Sequence, residues 1–205
     1  MTATMLAAAR RAKPGLAVEG WTSRDGPPAI QGPKDGATAE GPLLALIDRA
    51  VEAGADGVVI GCFDDTALET AQARASCPVI GIGQAAFHLC ALRGWRFSVV
   101  TTLPVSVPVI EGNIARYGLG GTCARVRASG VPVLDLEERP EAAAEAVEAE
   151  ARRAVAEDGI GAVVTGCAGM ARVSERLRRA LPVPVVDPVE AAMGCVAWLV
   201  GIPAA

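Results

Sequence analysis

Two stretches of this 205-residue chain repeat one another. DGVVIGCFDDTALETAQARASCPVIG runs from Asp56, and GAVVTGCAGMARVSERLRRALPVPVVD runs from Gly161. Each reads as an apolar strand, a Gly-Cys pair, a helix and a Pro-Val strand. The two cysteines, Cys62 and Cys167, stand roughly half a chain length apart, and the elements around them recur in the same order. That self-similarity constrains the fold more than any composition does. Two like α/β halves pack with an approximate twofold between them.

Strand-like and helix-like segments alternate along the whole chain, the pattern of an α/β fold with parallel strands. The first half reads as a helix over Thr2–Lys13, a strand over Leu16–Thr22, and a Gly- and Pro-rich loop over Ser23–Pro42. A helix follows over Leu43–Ala53, then a strand over Ala55–Gly61, a helix over Asp64–Ala75, a strand over Pro78–Ile82 and a helix over Gln84–Arg93. The second half reads as a strand over Arg96–Thr101, a helix over Val107–Tyr117, a strand over Ala124–Ala128 and a helix over Pro140–Glu157. It closes with a strand over Ile160–Thr165, a helix over Gly169–Ala180, a strand over Val183–Val186 and a helix over Val189–Val200. The predicted units are residues 1–94, completed by the C-terminal segment 188–205, and residues 95–187. Only the second half opens with a strand. The repeat therefore predicts a strand ahead of Thr2, placing the natural start about ten residues upstream of Met1.

Composition limits the partners. The chain is 51% hydrophobic and only 3% aromatic, with net charge −4 and pI about 5.1. The apolar fraction excludes disorder. Few aromatics and no basic footprint argue against nucleic acid. A mean hydropathy of +0.35 raises the question of a membrane. The uncharged stretch Ala191–Ala205 is shorter than a span needs and is broken by Gly194, Gly201 and Pro203. Arg10 and Arg11 follow the apolar residues of the N-terminus, the reverse of a signal peptide. A cytoplasmic protein with buried parallel strands and no membrane partner is expected.

None of the six cysteines forms C-x-x-C or a zinc spacing. Cys77, Cys90, Cys123 and Cys195 read as small buried hydrophobes. Cys62 and Cys167 differ. Each follows a buried strand at a predicted helix start, where parallel sheets bind ligands. Free N–H groups and the positive end of a helix would favour a thiolate there and cradle an oxyanion. Gly61 and Gly166 would let backbones approach closely. A twofold would set the two thiols across one cleft. Two opposed proton carriers suit inversion at a carbon, one thiolate abstracting and the opposite thiol delivering. Asp64 and Asp65 oppose a thiolate at Cys62, whereas Ala168, Gly169 and Met170 beside Cys167 are neutral, so unequal thiols are expected. The hydroxyls of Thr101 and Thr102 can hold a carboxylate or carbonyl, or serve only as strand residue and cap.

These residues carry a resemblance. GPPAIQG (Gly26–Gly32), GCFDDTAL (Gly61–Leu68), PVIGIGQAA (Pro78–Ala86), FSVVTTL (Phe97–Leu103), VTGCAGMA (Val164–Ala171) and DPVEAA (Asp187–Ala192) are similar to the aspartate/glutamate racemase superfamily, and most to its hydantoin racemase branch. The resemblance spans nearly the whole chain and implies a cofactor-independent racemase with Cys62 and Cys167 as the acid/base pair. It implies a 5-monosubstituted hydantoin or allantoin as substrate, deprotonated at C5. It also implies a pocket lined by Phe63, Asp64, Thr101, Thr102, Ala168 and Gly169. Members of the family begin with a strand and an Asn-Pro-Asn type loop, which this sequence lacks. Gln84 departs from the acidic residue more usual there.

Other readings are weaker. Gly81 to Ala86 fits G-x-G-x-x-A, but Leu89 to Ile110 contains no acidic residue for a ribose, so close strand-to-helix packing is the reading. His88 reads as structural. Asp64, Asp65 and Asp187 lack a metal-site spacing, so no metal is expected. Alternative activities are an amino-acid (Asp/Glu) racemase, a decarboxylase or a maleate-type isomerase of the same superfamily. A decarboxylase would use one cysteine, and a dicarboxylate isomerase would prefer a cationic pocket. A two-lobed small-molecule binding protein gives no reason for paired Gly-Cys motifs. A homo-oligomer is expected, with the apolar C-terminal helix available for assembly.

Overall fold

In the computed structural model, which describes residues 1–202, the strands fall into two parallel sheets. The first holds β1 (Val58–Ile60) and β2 (Val79–Gly81). The second holds β3 (Phe97–Thr101), β4 (Cys123–Ala128), β5 (Ala162–Gly166) and β6 (Val185–Val186), in the order β4-β3-β5-β6. The α/β reading with parallel strands is correct. The helices are α1 (Thr2–Ala12), α2 (Pro33–Glu52), α3 (Leu68–Arg74), α4 (Ile82–Leu92), α5 (Val107–Arg116), α6 (Asp135–Glu138), α7 (Pro140–Glu157), α8 (Ala171–Ala180) and α9 (Pro188–Val200). Among the described residues no helix is long and apolar enough to cross a membrane.

Every residue of β3 and β5 is buried. Side chains of a strand alternate between faces, and here both faces are covered. Val99 and Val164 enter a core shared with α4 and α9 residues such as Phe87 and Ala192. Val100 and Val163 enter a second core with Val147 and Ala151 of α7 and Leu177 of α8. Helix α9 follows the last strand yet packs on α1, α4 and β2, so the chain returns to the first sheet. The last three residues of the 188–205 segment lie outside the described residues.

Three local expectations fail for physical reasons. Leu16–Thr22 is not a strand. Its counterpart by the repeat is β4, which is held by pairing with β3. Among the described residues no strand stands where β3 stands in the second sheet, between β1 and Leu16–Thr22, so that segment is left unpaired and lines a groove beside β1. The loop over Ser23–Pro42 is helical from Pro33. Proline is pre-organised at the first helical position, and Asp35 in the first turn accepts from the Gln31 N–H. Burial of Ala39, Leu44 and Ile47 on one face outweighs Gly41 and Pro42 inside the helix. Helix α3 begins at Leu68 rather than Asp64, because Asp65 and Ala67 take left-handed backbone angles (φ 48° and 58°).

Candidate active site

The carboxyl ends of the strands converge on one cavity of about 780 Å³. Cys62 follows β1 after Gly61, and Cys167 follows β5 after Gly166. Both thiols line this cavity. Thr101 ends β3 opposite Gly166 of β5, so Thr101 and Thr102 reach the same rim as Cys167. The close approach explains Gly166. A Cβ there would lie 2.8 Å from the Cα of Thr101. Gly61 is less constrained, since its Cβ would meet only the flexible tip of Met5.

Of the expected lining residues, Phe63, Asp64, Thr101, Thr102 and Ala168 lie in the cavity wall. Gly169 does not; it sits two residues beyond Cys167, where its backbone N–H lowers the thiol's pKa. The Thr101 hydroxyl donates to the Gly166 carbonyl at 3.0 Å, so it supports the strand ends rather than offering a free group. Sequence reasoning missed Ser106, which lines the cavity and donates to Asp64 at 3.5 Å. It also missed Thr66, whose hydroxyl lies 3.4 Å from the Cys62 sulfur. Thr66 stands four residues after Cys62, a spacing that helix reasoning treats as a neighbour but that a tight loop also supplies.

The electrostatics differ from the helix-terminus expectation. Neither cysteine lies in the first turn of an α-helix, since α3 starts at Leu68 and Cys167 precedes a short 3₁₀ turn over Ala168–Met170. Burial therefore dominates. It pushes the Cys62 thiol up to about 12, with Asp64 adding to the rise while Thr66 and the Asp64 N–H oppose it. It pushes Cys167 up to about 11, opposed by the Gly169 N–H and helped by Asp64. Asp64 thus acts on both thiols, not on Cys62 alone. Burial in turn raises Asp64 itself to about 6. No Lys, Arg or His side chain lines the cavity among the described residues, whereas Glu19, Asp56 and Asp64 do. Cys77, Cys90, Cys123 and Cys195 stand outside the wall and are free thiols. His88 is half-buried, with Nδ1 2.8 Å from the Gln84 carbonyl and its ring against Tyr117, a structural role as expected.

A family model for Asp/Glu/Hydantoin racemase matches residues 1–196. The chain belongs to the Asp/Glu/hydantoin racemase family. Within that family it is 45% identical over 177 residues to hydantoin racemase of Rhizobium meliloti, covering 86% of this chain and 73% of that protein. Its fold superposes on an allantoin racemase from Klebsiella pneumoniae with TM-score 0.93 and 42% identity, over 97% of this chain and 82% of the other. An allantoin racemase from Pseudomonas fluorescens gives TM-score 0.84 and 35% identity, over 97% and 86%. This chain is accordingly a racemase, and its substrate is a small molecule.

Proposed function

We propose that this racemase inverts C5 of a 5-monosubstituted hydantoin or of allantoin, without a cofactor, using Cys62 and Cys167 as its two proton carriers. One observation carries the reading: both thiols line one cavity at repeat-related strand ends, and no cationic side chain lines it among the described residues. The thiolate of one cysteine takes the C5 proton. The electron pair moves onto the adjacent carbonyl as an enolate. The thiol of the other cysteine then delivers its proton to the opposite face, and the roles are exchanged for the reverse reaction. Asp64 accepts a ring N–H, and Thr102 and Ser106 supply hydroxyls within the wall. Donors aimed at the enolate oxygen lower the barrier to the carbanion. Phe63 and Ala168 contribute apolar surface, and Gly169 supports Cys167 through its N–H.

Cavity charge favours this substrate class. An aspartate or glutamate substrate brings carboxylates, which a wall bearing Glu19, Asp56 and Asp64 disfavours. A cyclic ureide is neutral and presents N–H donors, which suit a wall bearing Asp64. The two walls correspond to residues 1–94 with 188–205 and to residues 95–187, a division supported by the packing of α9 on α1 and α4. The same reading puts the enzyme in the cytoplasm, where the six free cysteines would stay reduced. It includes assembly into a homo-oligomer, supported by the exposed Leu92 on α4 and Trp198 on α9, two helices packed together.

The test starts from single-enantiomer 5-benzylhydantoin or allantoin in D₂O. Loss of optical rotation above the uncatalysed rate, with deuterium at C5, is expected. Cys62→Ser and Cys167→Ser should each lower racemisation by at least about 10²-fold, the usual contribution of a positioned proton carrier. Full racemisation by either variant overturns the two-thiol mechanism.

A further inference from the structure

The thiol loop of the first half is fastened by a carboxylate that takes no part in the proton transfers. Asp65 is 6% exposed and follows Cys62 by three residues. Its Oδ1 accepts from the Gly83 N–H at 3.0 Å, and its Oδ2 accepts from the Gln84 N–H at 2.7 Å. The Tyr117 hydroxyl, from the end of α5, donates to Oδ2 at 2.8 Å. Gly83 and Gln84 lie in the first turn of α4, whose own N-cap residue is Gly81 and has no side chain to offer. Asp65 therefore caps α4 from another loop, satisfying N–H groups that a helix start otherwise leaves open.

The surroundings are shaped to this carboxylate. A Cβ on Gly81 would fall onto it, and one on Gly83 would lie 2.8 Å from Oδ2 and 2.6 Å from the Phe63 carbonyl. The G-x-G of Gly81–Gly83 makes room for Asp65 and the thiol loop, rather than only for strand-to-helix packing. Asp65 also takes φ 48°, uncommon outside glycine and tolerated by aspartate. Its backbone N–H donates to the Cys62 carbonyl at 3.1 Å, so the side-chain anchor and the cysteine belong to one turn. A second tether, Asn113 Nδ2 to the Asp64 carbonyl at 2.8 Å, holds the residue between them.

The second half has a lock at the matching place, built in reverse. Asp187 caps its own helix α9 through the Val189 and Glu190 N–H groups. It also accepts from Ser174 at 2.8 Å, and the Ser174 oxygen lies 3.0 Å from the carbonyl of Met170, at the end of the Cys167 turn. In the first half the aspartate comes from the cysteine loop and reaches the helix. In the second it comes from the helix start and reaches the cysteine turn through a serine.

We propose that Asp65 is a positioning residue for Cys62, fixing the thiol's orientation by tying its loop to the start of α4 and to Tyr117. This rests on Cys62 acting as a proton carrier. Proton transfer needs a near-attack geometry, and a displacement of about 1 Å can cost about 10²-fold. Release of the loop has a second consequence. A less buried thiol ionises more readily, so Cys62 should become more reactive toward an alkylating agent while becoming a poorer catalyst.

The experiment measures both in wild type, Asp65→Asn, Tyr117→Phe and Asp187→Asn. Site-resolved iodoacetamide labelling, read by peptide mass spectrometry, gives the Cys62-to-Cys167 rate ratio. Hydantoin racemisation gives kcat and KM separately. For Asp65→Asn, the labelling ratio should rise several-fold and kcat should fall about 10- to 100-fold with little change in KM. Tyr117→Phe removes one donor and keeps the carboxylate, so it should move both readouts the same way by less, and it carries the test if Asp65→Asn does not fold. Asp187→Asn should not raise the Cys62 ratio. If wild type racemises hydantoins but neither Asp65→Asn nor Tyr117→Phe moves the ratio and kcat in opposite directions, positioning by Asp65 is overturned and the racemase reading stands. If the ratio moves as expected but wild type leaves hydantoins untouched, the anchor stands and the substrate reading falls.

Discussion

Asp64 is the residue whose charge reaches both cysteines of the cavity. It stands two residues from Cys62 in sequence, and that adjacency is all the sequence exposes. The structure adds that its charge raises Cys167 as well, because the loop carries Asp64 into the shared cavity. Replacement by asparagine keeps the shape and removes the charge. Asp64→Asn should lower the titration of both thiols, seen as thiolate ultraviolet absorbance appearing at lower pH in each single-cysteine background. A shift confined to Cys62 would show that Asp64 serves one thiol only. The proposed two-thiol mechanism needs one thiolate and one thiol together. With the thiols held near 12 and 11, that form is scarce at neutral pH and grows as pH rises. The kcat/KM of the wild type should therefore climb with pH from pH 7 toward the alkaline range. A plateau below pH 9 would mean that the free enzyme holds a thiolate more readily than its burial implies. That Cys62 and Cys167 meet at one cavity was legible in the sequence, from a repeated Gly-Cys after a repeated apolar strand. The state of the thiols was not. Their burial and the place where α3 begins depend on Asp65, whose partners lie 18, 19 and 52 positions away.

Among the elements, β4 and α7 are joined by charges that periodicity cannot reveal. Arg127 of β4 is almost fully buried, and it donates to Asp158 just past α7 at 2.7 Å and 2.6 Å. Glu150 accepts from it at 3.0 Å, and the Ser98 hydroxyl of β3 donates to Asp158 at 2.7 Å. In the strand CARVRA an arginine reads as an outward residue, and only the fold supplies the acid it meets. The Glu148–Arg152 pair, four apart on α7, was by contrast legible and forms, with Arg176 of α8 joining it. Arg127 holds the Asp158 carboxyl below the usual carboxylate range, with Ser98 adding to the effect. A depressed folded value means that this contribution is present above the unfolded value of about 4 and is lost as pH falls through the folded one. Asp158→Asn leaves Arg127 with Glu150 and Glu157 as its remaining carboxylates. It should cost about 1.5 to 3 kcal/mol at neutral pH in urea unfolding, and the loss relative to wild type should shrink under acid. An equal loss at pH 7 and pH 3 would show that packing, not charge, is what the aspartate supplies.

At the scale of the molecule, the repeat leaves two sheets of unequal size. The second has four strands, with β3 and β5 each buried along their whole length. The first has two strands of three residues, and Val58 and Val59 of β1 are only half-buried beside the groove lined by Leu16–Thr22. The duplication and the parallel strands follow from sequence period alone. Whether each repeated strand finds a partner does not, because pairing depends on what lies on both of its edges. A β1 amide has one hydrogen-bonded neighbour strand, and the small core under it, around Ile47, Ile60 and Leu68, is separate from the two larger ones. Short, one-sided strands over a small core open at lower free energy than central strands. Native-state hydrogen exchange should therefore show β1 and β2 amides exchanging through a partial opening, below the free energy at which Val99, Val163 and Val164 exchange. Such an opening would move Cys62 while Cys167 stays seated in the stable sheet, making the first half the adjustable wall of the site. Identical protection in both sheets would mean that the halves open only together, and that the second sheet holds the first through α9. On the proposed two-thiol reading a hydantoin bridges Cys62 and Cys167, so its binding should stabilise the weaker sheet and narrow the gap.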